Sequence, residues 1–77
     1  MTKQEAMHLV HGQIVFHKKL RNSDKTPLRA RVSGKCVLWK TRPDEFMVPM
    51  KYGLYDNLKL TEINMNDWCL HEEEALA

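Results

Sequence analysis

Cysteine is scarce in this sequence: Cys36 and Cys69 are the only two among 77 residues. A disulfide-dense secreted scaffold is therefore excluded. The pair reads as two reduced, partly buried thiols, with a single bridge between them as the alternative. Glycine is scarce too, with three residues scattered at positions 12, 34 and 53, so there is no glycine-rich phosphate loop. No apolar run approaches the about 18 residues of a membrane span. Lys3, Glu5 and His8 interrupt the first residues, so neither a signal peptide nor a membrane partner is expected. Metal-ligand spacing is missing: His8 and His11 stand three apart, His17 and His71 are remote, and there is no CxxC or HxxxH. No cofactor is expected. Catalytic groupings are missing as well. Cys36 sits inside an apolar run that disfavours a thiolate, and Ser23 and Ser33 lie in turns without an elbow motif. Asp44-Glu45 and Glu72–Glu74 read as solvated carboxylates. These absences argue against an enzyme and against a small-molecule substrate.

What is present is enough apolar material for one small core. The chain is 43% hydrophobic and holds two Trp, two Tyr and two Phe. A single domain over residues 1–77 follows, with a narrow stability margin at this length. Its charge is divided along the sequence. Residues 17–42 carry nine bases and one acid, Asp24, for a formal charge of +8. Residues 43–77 carry two bases and eight acids, for −6.

Turn signals recur every eight to twelve residues and separate short patterned segments. Residues 2–10 read as a short helix, with Thr2 and Glu5 spaced as a capping box and Ala6, Leu9 and Val10 on one face. Residues 13–19 read as a strand, and residues 20–27 as a loop rich in turn formers. From 28 to 32 the pattern alternates: Leu28, Ala30 and Val32 point one way, Arg29 and Arg31 the other. Ser33-Gly34 is either the turn of a hairpin into a strand at 35–41 or a glycine bulge within one long bent strand; the hairpin is preferred. Residues 42–45 read as a turn around Pro43, and 46–51 as a strand that Pro49 either confines to a sheet edge or ends early. A turn around Gly53 and a strand at 58–61 follow. Trp68 and Leu70 resume an apolar face, and 71–77 is an acidic end, frayed or one helical turn. The expected class is mainly β, a β-rich α+β domain: a small SH3-like barrel or a twisted antiparallel sheet with a short N-terminal helix.

Two uses of the charge remain open. The basic side chains Arg29, Arg31, Lys35, Lys40 and Arg42, with Trp39 as an interleaved ring, form a candidate nucleic-acid-binding stripe. Tyr52 or Tyr55 could add ring faces. Alternatively the arginines pair with the acids of residues 43–77, or the contact surface is a protein-facing one. Met47, Met50, Met65 and Met7 offer an adaptable patch, though each also suits gap-filling in the core. The acidic end solubilises, screens the stripe or mimics a polyanion.

The segments TPLRARVSGK, WKTRPDEF and VPMKYGL, with the later Thr61-Glu62, Asn64 and Trp68, resemble short uncharacterised proteins of tailed bacteriophages over residues 27–68. In such a pattern a glycine would be expected at Lys25. The resemblance implies a phage gene acting in the bacterial cytoplasm. The resulting expectation is a non-enzymatic module that binds nucleic acid through a basic sheet face. The alternative is a protein-interaction factor, such as a phage inhibitor or modulator of a host protein complex, that uses the Met/aromatic patch or the acidic end.

Overall fold

The computed structural model describes residues 1–77 as two short helices around one antiparallel sheet. Helix α1 spans Lys3–Met7, shorter than expected, and starts as the sequence indicates. The Thr2 hydroxyl accepts from the Glu5 N–H at 3.2 Å, while the Glu5 carboxylate accepts from the Thr2 N–H at 2.9 Å. The strands are β1 (Ile14–Arg21), β2 (Pro27–Val32), β3 (Val37–Trp39), β4 (Arg42–Tyr52), β5 (Tyr55–Thr61) and β6 (Trp68–Cys69). Helix α2 spans Glu72–Leu76, so the acidic end is a helical turn rather than a frayed tail.

β4 is the hub of the sheet. It pairs with β5 along one edge, and with both β2 and β3 along the other. Val32 stands opposite Met50 and Val37 opposite Met47, so β2 and β3 lie end to end and run the same way. The preferred hairpin at Ser33-Gly34 is therefore corrected: the chain continues in one direction, as the bent-strand alternative expected, but as two strands separated by residues 33–36 rather than one strand with a bulge. β1 pairs with β2, and β6 with β1. The sheet stays open, with β5 at one border and β6 at the other, so the twisted-sheet alternative holds and no barrel closes.

Pro49 explains the break and is itself a second correction. It lies in the central strand, not in an edge strand. Its carbonyl accepts from the Ser33 N–H at 2.9 Å, so its backbone faces the gap between β2 and β3, where the ladder has no need of a donor. Gly34 fits against the ring because it lacks a Cβ; one placed there would stand 2.9 Å from Pro49 Cγ. The turn expected at 42–45 is corrected too. The chain reverses at Lys40-Thr41, and Pro43 falls inside β4 beside a register shift that again leaves it without a donor to supply.

One face of the sheet builds the core. Val15, Ala30, Val32, Phe46, Val48, Met50 and Leu60 meet Ala6 and Leu9 from the α1 segment and Trp68 from β6. The alternation dictates this choice, because Leu28, Ala30 and Val32 of β2 and Phe46, Val48 and Met50 of β4 are the apolar positions, two residues apart, and share one face. The segment after β5 crosses to β6 through a 3-10 turn at Met65–Asp67. Before it crosses, Asn64 occupies the open border of β5: its side chain accepts from the Thr61 N–H at 2.8 Å and donates to the Lys59 carbonyl at 2.9 Å. That blunts an exposed edge. Cys69 points to the opposite face, where α2 packs over β1 and β6 through Ala75. Arg21 donates to the Ala75 carbonyl at 2.7 Å and holds the helix down. No helix is long and apolar enough to cross a membrane.

Candidate nucleic-acid interface

The second face of the sheet carries the odd-numbered positions of β2 and β4. Arg29 and Arg31 project from β2 and are exposed, as the alternation predicts. Register then adds two cations from the nominally acidic half. Lys51 of β4 stands directly opposite Arg31, and Lys59 of β5 stands opposite Pro49 on the same face. The four charges run obliquely across β2, β4 and β5. Ile14 and Phe16 of β1 lie beside them, opposite Arg31 and Arg29. A shallow hollow of about 350 Å³ is lined by Ile14, Arg29, Arg31, Lys51 and Gly53.

These cations are not neutralised from within the chain. The one ion pair in the protein joins Arg42 and Glu45 at 2.9 Å, at the far end of β4. Two acids approach the face without forming an ion pair: Asp56, which the β4–β5 register sets across from Lys51, and Asp24. The Asp24 carboxyl is held below the ordinary range first by the Thr26 hydroxyl, then by the Thr26 N–H, with Arg29 as a smaller contributor. The glutamates of α2 form no ion pair with Arg29 or Arg31. Placing Arg31 opposite Lys51 costs stability, because like charges in direct cross-strand register repel.

The six residues singled out from the sequence fall in three places. Arg29 and Arg31 share the open face. Lys35 lies in the break between β2 and β3, against a hollow lined by His8, His11 and Leu38 near the end of α1. Trp39, Lys40 and Arg42 form the β3–β4 turn, about 30 Å from Arg31 at the usual strand rise over nine residues of β4. There Arg42 stacks on the half-buried Trp39 ring, 5.1 Å from its centroid, and is engaged by Glu45. The expected stripe of arginines interleaved with Trp39 is thus divided. Lys51 and Lys59 were missed because their segment is acidic on balance. The period of two in FMVPMK and LKL does place them opposite the buried positions.

The rings lie on the other face. Tyr52 and Tyr55 face each other across the β4–β5 turn and, with Trp68 and His17, surround a hollow on the core side. His17 accepts from the N–H groups of Lys19 and Leu20 at 3.0 and 2.9 Å through Nδ1, which places its proton on Nε2. Burial lowers its pKa from the ordinary 6.5, with Asp67 opposing and Lys19 and Arg21 assisting. Its ring meets Trp68 edge-on at 4.8 Å.

The thiols are separate. Cys36 and Cys69 lie on opposite faces, and the strand spacings put them about 20 Å apart, far beyond the about 7 Å limit for a bridge. Burial raises both thiol pKa values. No three His, Cys, Asp or Glu side chains come together in a way that could hold a metal ion. Comparison with family models, with curated proteins and with solved structures finds no match to this chain.

Proposed function

We propose that the open sheet face binds the phosphate backbone of nucleic acid through Arg29, Arg31, Lys51 and Lys59. One observation carries this reading: Arg31 and Lys51 stand in direct cross-strand register, exposed, with no carboxylate paired to either. Folding gains nothing from that juxtaposition. A polyanion laid across it releases the counterions that the four charges otherwise hold. No exposed ring lies among the four cations, so this face reads charge spacing rather than base identity. Such a module needs no cofactor and no catalysis, and we further propose, from the sequence resemblance to phage proteins alone, that it works in a bacterial cytoplasm.

The test is fluorescence anisotropy with a labelled DNA duplex at 50 and 200 mM salt. Four phosphate contacts give a log–log salt slope of about −3.6, or roughly a hundred-fold loss of affinity over that interval. Arg31→Ala/Lys51→Ala should weaken binding strongly, while Lys40→Ala at the remote turn should leave it unchanged. Absence of binding at 50 mM salt, or equal effects of both variants, would reject the assignment.

A further inference from the structure

The hollow on the core side of the β4–β5 end is built differently from the basic face. It holds about 310 Å³, at the lower end of the range for ligand pockets, about 300–1,000 Å³. Trp68, 3% exposed, forms its floor, and the half-buried Leu28 and Leu58 its walls. Tyr52 and Tyr55, 42% and 57% exposed, form its lip. No charged side chain lines it, so it is shaped for a flat uncharged ring and not for a phosphate. The Tyr52 hydroxyl donates to Asn22 Oδ1 at 3.5 Å and steadies one side of the lip. His17 presents an imidazole edge whose tautomer is fixed by the two N–H groups on Nδ1.

The two surfaces share a border. Lys51 and Tyr52 are consecutive and point to opposite faces, and Gly53, at φ +59°, turns the chain between them. Gly53 also lines the hollow between Arg29 and Lys51. The turn is only Gly53-Leu54; Leu54 stands fully exposed at its tip, and Gly53, with no side chain, leaves the flank between the cations and the tyrosines open. We propose that this hollow takes one unstacked base from a single strand whose phosphates lie on the Arg29–Arg31–Lys51 face and whose chain rounds the Gly53 turn. The inference rests on the backbone-binding reading above. Base-on-ring stacking adds affinity without sequence choice, because every base has a π-face. A duplex, its bases already stacked, has nothing to offer the hollow. The protein should therefore prefer single strands.

The test compares labelled dT15 with a 15-bp duplex by anisotropy at 50 mM salt. Tyr52→Ala/Tyr55→Ala should weaken dT15 binding about ten-fold or more and leave the duplex within about two-fold, given the usual worth of a stacked base. Tyr52→Phe/Tyr55→Phe should retain dT15 affinity. Arg31→Ala/Lys51→Ala should weaken both ligands. A second readout covers any variant that folds poorly: in Trp39→Phe, Trp68 is the sole tryptophan, and dT15 should quench it while the duplex does not. Equal losses for both ligands in the tyrosine variant, or no loss for either, overturn the base site and leave the backbone reading standing. Failure of the unmodified protein to bind either ligand overturns both.

Discussion

Lys51→Glu separates a structural role of the basic face from a binding role, because the two predict opposite outcomes. Lys51 is exposed and sits directly opposite Arg31. Directly opposed Cβ atoms lie about 5 Å apart, and long like-charged side chains splay to put their charges about 7 Å apart. In water that repulsion is about 0.6 kcal/mol, reduced to about 0.25 kcal/mol by a Debye length of about 8 Å at 0.15 M salt. Reversing one sign turns repulsion into attraction, so the change is about twice these values. Strand propensity barely contributes, since Lys and Glu are similarly disfavoured. The variant should be more stable by about 0.5 kcal/mol at physiological ionic strength, which is about 2–4 °C in Tm for a domain of this size. The gain should grow as salt is lowered. Nucleic-acid binding should move the other way. One phosphate contact disappears and Arg31 becomes paired, so the salt slope should shrink by about 2. Scanning calorimetry and anisotropy titrations on the same preparations give both numbers. A lower Tm would refute the cross-strand register, and unchanged affinity would refute the site.

Three further outcomes follow from local geometry. Lys25 adopts φ +71° in the Asn22–Thr26 turn, so Lys25→Gly should raise stability by about 0.5–1 kcal/mol in urea titrations. His17 has a pKa below its ordinary 6.5 in the folded protein. The unfolded chain therefore takes up that proton first, and stability should hold above pH 6.5 and fall as the pH drops towards the depressed value. Glu5 and Asp24 act only below their ordinary values of 4.5 and 3.8, so urea midpoints between pH 8 and 5 isolate His17, and His17→Asn should flatten the fall. Cys69 is 1% exposed and its thiol pKa is raised by burial, while Cys36 is half-buried. Iodoacetamide at neutral pH should label Cys36 slowly and Cys69 only after denaturant is added, as read by intact mass.

The local features of this fold were legible in the sequence, and those that depend on remote partners were not. The Thr2–Glu5 capping box and the alternation around Arg29 and Arg31 involve neighbours within a few residues, and the structure has both. The glycine expected at Lys25 came from the phage resemblance alone, and the positive φ found there gives the physical reason a glycine would suit it. The break at Ser33-Gly34 was ambiguous for a physical reason. A glycine serves a hairpin turn or a bulge equally well, and Pro49, fifteen residues away, decides between them by withholding a donor from the gap. Reading Pro49 as an edge marker failed for the same cause: its one missing bond falls where the partner strand is interrupted. The candidate site was half legible. Strand parity placed Arg29 and Arg31 together, but pooling charges along the chain concealed Lys51 and Lys59. It also grouped Trp39 and Arg42 with residues about 30 Å away at the usual strand rise.

The charge division in the sequence becomes a direction on the surface. Helix α2, with Glu72, Glu73 and Glu74 in its first turn, is packed on β1 and β6 through Ala75 and held by Arg21. It covers Cys69 and the neighbourhood of Phe16, on the same side of the sheet as the arginines. From Arg29 the cations lead away from this helix, to Arg31 on β2, Lys51 on β4 and Lys59 on β5. A phosphate chain that drifted towards β6 would meet three carboxylates, and their repulsion would be felt over about a Debye length. The glutamates of α2 therefore lie beside the cationic track rather than on it, and bound it on one side. On the proposed reading, a strand held by Arg29, Arg31 and Lys51 would lie beside the Gly53 turn, on whose other side Tyr52, Tyr55 and Trp68 open a ring-shaped space. The proposed path thus links the cations of β2 and β4 to the aromatic hollow and leaves α2 outside it.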